Sequence, residues 1–350
     1  MRNLKLEIID PTVRNKVENN TYTTVITKSR EDSISFERYD TADYKVFADG
    51  SGQEGGIGAS VILYKKGFVQ PVKMMKAFLG PKTKHNMYEA EAVGALLATW
   101  ITRNTPETIG KIVSLYIDNQ AIMMALAGTK TTSGQYLINS VITAANELPC
   151  KLTVRWISSH SEVRGNEVAD RLAKEAAKGQ ASRQADLPHL LRSPLLISSS
   201  ASKQEYNVKI NRMWVKIWEG SPRKDRFTQT DPNFPFNSFR KRLFKLNRKQ
   251  TSIIMQLWTK HIPLNFYLKR IGKINSDKCL KCNGDPDNVQ VTKTINHFLF
   301  ECQAYEEARQ SLVNKIGRSC FTIPKIMKNT NHMKALVTFI NRTGRFNENN

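Results

Sequence analysis

Four acidic residues, Asp49, Glu91, Asp118 and Asp170, are the first candidates for chemistry in this sequence. Carboxylates gathered in one crevice repel one another and shift each other's titration unless a cation neutralises them. Hard divalent ions such as Mg²⁺ choose oxygen ligands of this kind. Two such ions can stabilise both the attacking and the leaving oxygen of an in-line phosphodiester displacement. Taken singly, each Asp has an ordinary reading: Asp49-Gly50-Ser51 as a turn, Asp118 as a helix cap, Asp170 as a first-turn acid facing a helix dipole. The weight comes from the set. A second constellation lies further on, where Cys279-x2-Cys282 is followed after fourteen residues by His297-x4-Cys302. Three thiolates and an imidazole make a closed tetrahedral set for structural Zn²⁺, with no open position for catalysis. Asn283-Gly284, directly after the first pair, lets backbone amides turn toward the sulfurs. Cys150 and Cys320 read as buried thiols. Five cysteines with three in one cluster suit a reducing compartment and a metal rather than disulfides.

Positioning four carboxylates takes a sheet and helices. Tyr44–Asp49 reads as a strand ended by Gly50-Ser51-Gly52. Gly56–Lys65 and Val69–Leu79 supply two more strands, joined at Lys66-Gly67, which predicts an antiparallel meander. Asn86–Arg103 reads as a helix with Asn86 as N-cap. Lys111–Asp118 is a β-branched strand, Ala121–Leu126 and Gln135–Leu148 are helices, Leu152–Ile157 alternates as a strand, and Val168–Lys178 is a helix. The order predicts an α/β layered domain. Asp49 and Asp118 then end strands, Glu91 lies in the first turns of the long helix, and Asp170 opens the last one. Strand-end aspartates can point into one crevice at the edge of such a sheet.

The chain of 350 residues has room for two domains. Residues 1–43 read as a polar lead-in, 44–178 as the catalytic domain, 179–202 as a linker rich in Ser, Ala, Pro and Leu, and 203–350 as a basic, mostly helical region. The formal charge of +22 predicts a polyanionic partner. Residues 1–180 contribute +4 and residues 181–350 contribute +18, so the second half is the expected polyanion grip. Trp214 and Trp218, four residues apart, read as core of a small helical domain; aromatics among basic residues can also stack on bases. No apolar run approaches a membrane span, and the N-terminus lacks the apolar core of a secretory signal. An intracellular protein of nucleus or cytoplasm, neither secreted nor membrane-bound, is the expectation.

Four stretches together resemble ribonuclease H of type 1 in its retroelement form: VFADGSG (Val46–Gly52), MYEAEAVGALLA (Met87–Ala98), LYIDNQAIMMAL (Leu115–Leu126) and VRWISSHSEVRGNEVADRLAKEA (Val154–Ala176). The resemblance implies a mixed five-stranded sheet with flanking helices and cleavage of the RNA strand of an RNA–DNA hybrid. It implies two Mg²⁺ ions, replaceable by Mn²⁺, on Asp49, Glu91, Asp118 and Asp170. It places His160 on a mobile loop near the scissile phosphate, where an imidazole can shuttle a proton or help product leave. Asn166 matches a position that contacts the RNA strand.

The helix offers both Glu89 and Glu91, and periodicity alone does not choose between them. Small residues (Gly94, Ala95, Ala98) follow Glu91 on its own face and let the helix sit close to the sheet, which favours Glu91 and leaves Glu89 as a surface acid. Some ribonucleases H carry an extra basic helix after the second helix; here Gly128–Gln135 holds one lysine, so substrate grip is expected from the basic tail.

That tail resembles the segment after the ribonuclease H domain in non-LTR retrotransposon reverse transcriptases, through Leu257–Lys273, Cys279–Cys282 and His297–Arg309. Such segments are thought to bind nucleic acid. The sequence holds no Tyr-x-Asp-Asp of a polymerase site. The rival readings are a non-catalytic nucleic-acid-binding protein that kept the fold, and a nuclease of the same fold acting on another duplex.

Overall fold

In a computed structural model, residues 5–9, 20–128, 132–159, 162–228, 238–282 and 291–346 are described. The chain divides into two compact units, Met1–Lys209 and Ile210–Asn350.

The first unit is built on one mixed sheet. Its strands are β1 (Thr23–Val25), β2 (Tyr44–Gln53), β3 (Gly56–Lys65), β4 (Lys73–Pro81), β5 (Ile112–Ile117) and β6 (Lys151–Trp156). They lie in the order β1-β6-β5-β2-β3-β4. The expected meander is present, with β2, β3 and β4 antiparallel, while β2, β5, β6 and β1 run parallel. The helices are α1 (Arg30–Arg38), α2 (Met87–Arg103), α3 (Gln120–Ala127), α4 (Gln135–Asn146) and α5 (Arg164–Ala177).

Alternation along the strands separates the two faces. Val46, Ala48, Val61, Leu63, Leu115 and Ile117 join one core with α2 and α4. The intervening Phe47, Ile62 and Tyr116 join the other core with α5. β2 and β5 are sandwiched between helical layers, which is why their inner residues read as continuous apolar runs.

Two expectations are corrected. The sheet has six strands rather than five, because Thr23–Val25 of the expected lead-in pairs with Thr153–Arg155. Three residues are too few to show a period, so only the neighbouring β6 makes them a strand. Tyr22 anchors it, buried and donating its hydroxyl to the Leu126 carbonyl at 3.0 Å. The segment expected as a linker is packed along the first unit: Leu187 and Leu195 are buried, and Ser182 bonds to Lys76 through both its amide and its hydroxyl, each at 2.9 Å. Its leucines supply an anchorage that its Ser and Pro content hides.

Helix α6 (Ser199–Glu219) contains the division between the units. The second unit holds α7 (Lys224–Thr228), α8 (Ser238–Leu243), α9 (Arg248–Thr259), α10 (Asn265–Arg270), α11 (Glu306–Ile316), α12 (Ile323–Met327) and α13 (Thr330–Arg342). Its core gathers Ile254, Leu257, Trp258, Phe298, Leu312, Leu336 and Phe339. Trp258 is buried, whereas Trp214 is 46% exposed, against the core role expected for it. Trp218 is half-buried, its ring 6.1 Å from that of Phe227. Cys150 and Cys320 are half-buried rather than buried. No helix among the described residues is long and apolar enough to cross a membrane.

The contact between β2 and α2 fixes the spacing of the layers. A Cβ on Gly50 would sit 2.5 Å from the Glu91 backbone nitrogen and 2.7 Å from the Ala90 carbonyl carbon. Both are backbone atoms that cannot swing aside. Gly50→Ala is expected to lower stability by about 1–3 kcal/mol, as overpacking does, read from the midpoint of urea unfolding of the full chain. An unchanged midpoint would show that α2 has room to retreat.

Candidate functional site

Asp49 lies within β2, which runs past the turn expected at Gly50 to Gln53. It shares the strand face of Phe47, toward α5. Asp118 follows the last residue of β5, the parallel neighbour of β2. Its reading as a helix cap fails: the next residue caps α3, the Asn119 side chain accepting from Ala121 N at 2.9 Å and Ile122 N at 3.3 Å. Glu91 comes from α2, the fifth residue of that helix. Its own-face Gly94 packs against β2, where a Cβ would stand 3.2 Å from the Asp49 carbonyl oxygen. These three carboxylates converge, offering oxygens that all lie within 4.8 Å of one another.

Asp170 is outside that group of three among the described residues. It sits in the second turn of α5, because that helix begins at Arg164, a turn before the expected start. Its Oδ2 accepts from Lys174 Nζ at 2.7 Å. Asp170 is near enough for its charge to raise the Asp49 pKa. Asn166 is buried in the first turn of α5, and its Oδ1 has no hydrogen-bond partner among the described residues. His160 lies outside the described residues, as do Asn283-Gly284 and Lys130 of the Gly128–Gln135 stretch.

Glu89 is not a surface acid. It is fully buried and forms a capping box with Asn86: Asn86 N donates to Glu89 Oε2 at 2.9 Å, and Glu89 N to Asn86 Oδ1 at 3.0 Å. The sequence signal was present, since an N-cap Asn with Glu three residues later is that box. Two supporting residues went unnoticed in the sequence. The Asn119 side chain lies close enough to Glu91 to exert a lowering pull on its pKa. The Ser159 hydroxyl donates to Asp118 Oδ2 at 2.9 Å. Asn at a strand-to-helix junction marks the first; nothing local marks the second.

Burial and mutual repulsion dominate the electrostatics. Burial first, then Asp118 and Asp170, push the Asp49 carboxyl up to about 8. Burial, with Asp118 and Asp49, holds Glu91 well above the usual carboxylate range. Glu91 Oε2 is buried without a hydrogen-bond partner among the described residues. Three crowded carboxylates and an orphaned oxygen fit a hard divalent cation, which takes oxygen ligands and removes the repulsion.

The cysteine cluster is a second metal-type site. Cys279, Cys282, His297 and Cys302 offer ligand atoms within 4.8 Å of one another. Cys282 Sγ lies 3.5 Å from Cys302 Sγ and 3.4 Å from His297 Nε2, and Cys279 Sγ lies 3.9 Å from Cys302 Sγ. A tetrahedral ion with bonds of roughly 2.3 Å to sulfur spaces its ligands about this far apart. A wide helical turn makes this possible: Cys302 N donates to the His297 carbonyl at 2.8 Å, an i to i+5 closure. His297 Nδ1 faces Glu301 Oε2 at 3.7 Å, the type of outer partner that orients a ligating imidazole. Burial lowers the His297 pKa and pushes the Cys302 thiol up to about 12. Neutral imidazole suits ligation, and a cation would draw the thiol to thiolate.

Residues 41–178 match the family model described as RNase H. The mixed sheet and flanking helices have the arrangement of that fold. No curated protein matches the chain. Among solved structures, one similar chain is the N-terminal RNase H domain of a Mycobacterium tuberculosis protein, solved as a fusion with maltose binding protein. It is 17% identical, covering 40% of this chain and 96% of that one, with a TM-score of 0.34. RNase H1 from Halobacterium salinarum is 18% identical over 39% of this chain and 98% of its own, with a TM-score of 0.32. LC11-RNase H1, solved in complex with an RNA/DNA hybrid, is 14% identical over 39% and 97%, with a TM-score of 0.33.

The carboxylate pKa shifts have a signed consequence for stability. Asp49 ionises in the unfolded chain near pH 4 but in the metal-free fold only near about 8. The fold therefore takes up a proton there, and the stability this group contributes is lost as pH rises across that window. Asp49→Asn is expected to raise the melting temperature of metal-free protein near about pH 8 and to change it little near about pH 4. Added Mg²⁺ should stabilise the wild type more than the variant. Calorimetry giving the same difference between the two proteins at both pH values would remove this account.

Proposed function

We propose that the first unit is an endoribonuclease that hydrolyses the RNA strand of RNA–DNA hybrids by two-metal-ion chemistry, in a chain of retroelement origin. The observation that carries the reading is the convergence of Asp49, Glu91 and Asp118 within the segment that matches RNase H. Asp49, Glu91, Asp118 and Asp170 would hold two Mg²⁺ ions, with Mn²⁺ as substitute. When bound, such ions polarise the phosphate and stabilise the attacking and leaving oxygens of the displacement.

The protein's own groups have separate tasks. The Asn119 side chain lies beside Glu91, and Ser159 holds Asp118, so the Asp118 carboxylate need not search for its orientation. Asp170, paired with Lys174 at 2.7 Å, would turn its carboxylate to the cation as a fourth oxygen donor. His160 moves a proton at the leaving oxygen, and Ser159 precedes it in the chain. Asn166 contacts the RNA strand, its carboxamide oxygen having no partner among the described residues. In the second unit, Cys279, Cys282, His297 and Cys302 hold a structural Zn²⁺. The retroelement origin rests on the resemblance of Leu257–Lys273 and His297–Arg309 and on their order after the RNase H segment.

The test is cleavage of labelled hybrid, double-stranded RNA and double-stranded DNA side by side. Only the hybrid should be cut, and only with Mg²⁺ or Mn²⁺. Asp49→Asn or Asp118→Asn should lower the rate by about a thousandfold or more, given several kcal/mol of metal-derived stabilisation. Hybrid binding without any cleavage would favour the non-catalytic alternative. Glu91→Gln should abolish cleavage, whereas Glu89→Gln should keep most of it, since a Gln serves in a capping box. The reverse ranking would move the metal ligand to Glu89.

Zinc is tested separately. Elemental analysis of the full chain should give one Zn²⁺ per chain, falling to none in Cys279→Ser with Cys302→Ser. Zinc-free wild-type protein with freely reactive thiols would rule the ion out.

A further inference from the structure

A pocket of about 590 Å³ opens within the second unit, between the end of α9 and the start of α10. Its floor is apolar: Leu257, Ile262 and Leu264 are each at most 3% exposed. Trp258, Phe266 and Tyr267 add aromatic surface, with Phe266 half in solvent. Lys260 and Arg270 also line it. The Arg270 guanidinium is stacked over the Tyr267 ring, 5.1 Å from its centroid, and the His261 ring centroid stands 5.3 Å from that of Tyr267, so the platform is a layered one.

The charges here are one-sided. No acidic residue lines this pocket. Lys260 and Arg270 form no ion pair with a carboxylate among the described residues, whereas neighbouring Lys269 pairs with Asp277 at 3.2 Å. The larger pocket beside α1 mixes both signs, setting Arg38, Lys45, Lys65, Lys66 and Arg164 among Glu37, Asp40 and Glu162. The second unit as a whole has 26 Lys and Arg against 10 Asp and Glu.

Lys260 is also placed at a backbone cost. It ends α9 with φ at +60°, in the left-handed region. Glycine is the usual residue at such a helix end because a Cβ is unfavourable there. A lysine in that position gives up stability to hold a cation at the pocket.

We infer that this pocket receives one unpaired base of a single-stranded nucleic acid, with Lys260 and Arg270 meeting the flanking phosphates; this rests on the reading that the basic second unit binds nucleic acid. A base has apolar faces for the floor and the Tyr267–Arg270 platform, and polar edges for Asn296, which lines the pocket. An acidic peptide would satisfy the cations but not the stacking surface.

The experiment uses the full chain and a fluorescein-labelled single-stranded oligonucleotide. A parallel oligonucleotide carries 2-aminopurine, whose fluorescence changes on stacking. The wild type should bind and change the 2-aminopurine signal, and should bind an abasic oligonucleotide of equal charge about tenfold more weakly. Tyr267→Ala should weaken binding about tenfold, with Tyr267→Phe retaining it. Lys260→Gly should lower the slope of log affinity against log salt by about 0.7 without lowering the melting temperature, because it relieves the backbone. Equal affinity for the abasic strand, or equal displacement by polyglutamate and by that strand, would reduce the pocket to a polyanion grip and overturn the inference. A folded Tyr267→Ala of unchanged affinity would do the same. Should Tyr267→Ala unfold, the wild type decides alone: binding without a 2-aminopurine change overturns the base pocket. Failure of the wild type to bind any nucleic acid would bring down the broader reading of the second unit, and this inference with it.

Discussion

Crowding of like charge in the first unit is the constraint on which the rest of its structure depends. Asp49, Glu91 and Asp118 are pressed to within 4.8 Å by elements that have no other way to pack. β2 and β5 are adjacent parallel strands, so Asp49 and Asp118 emerge side by side. Gly50 lets α2 approach β2 until Glu91 joins them. Each side chain alone would be better solvated elsewhere. The apolar layers on both sheet faces supply the rigidity that keeps them together, since packed cores do not yield by fractions of an ångström without cost. Protonation relieves the repulsion when no cation is present, and a divalent ion relieves it without neutralising the ligands.

The second unit solves a similar problem with sulfur. Its core is small, and Cys279 and Cys302 are part of it, buried beside Phe298 and Tyr305. Buried thiols contribute as small apolar groups, but four ligand atoms this close are a poor core without an ion to join them. The wide turn from His297 to Cys302 is a departure from regular helix that only such a cluster rewards. The two clusters differ in ligand hardness, oxygen donors in one and sulfur with nitrogen in the other, which suit a hard and a softer cation respectively.

The charge asymmetry gives these sites different surroundings. The first unit carries both signs together, as the pocket beside α1 shows with Glu37, Asp40 and Glu162 among five cations. The second unit gathers the excess of cations, and Lys260 and Arg270 line its aromatic pocket without a carboxylate partner among the described residues.

The alternation of Leu152, Thr153, Val154 and Arg155 announced a half-buried strand, because a period of two is a local property of the backbone. The Cys and His spacing announced a cluster for a similar reason: it lies within a short stretch whose turns bring the ligands together. The preference for Glu91 over Glu89 was legible in Gly94, a small residue one turn on. Other features were not local and were not legible. Thr23–Val25 is a strand only because β6 is beside it, and Leu187 and Leu195 pin a Ser- and Pro-bearing segment that composition marks as free. Helix α5 starts early, at Arg164, although no side chain caps it and Gly165 is a poor helix former, because Gly165 lets it approach the Phe47 ring. The sequence by itself determined the periodic elements, the ligand types and the sign of the charge, all of which depend on residues near one another in the chain. Only the tertiary structure decided which polar groups are buried and which short segments pair, because those energies belong to partners a hundred or more residues away.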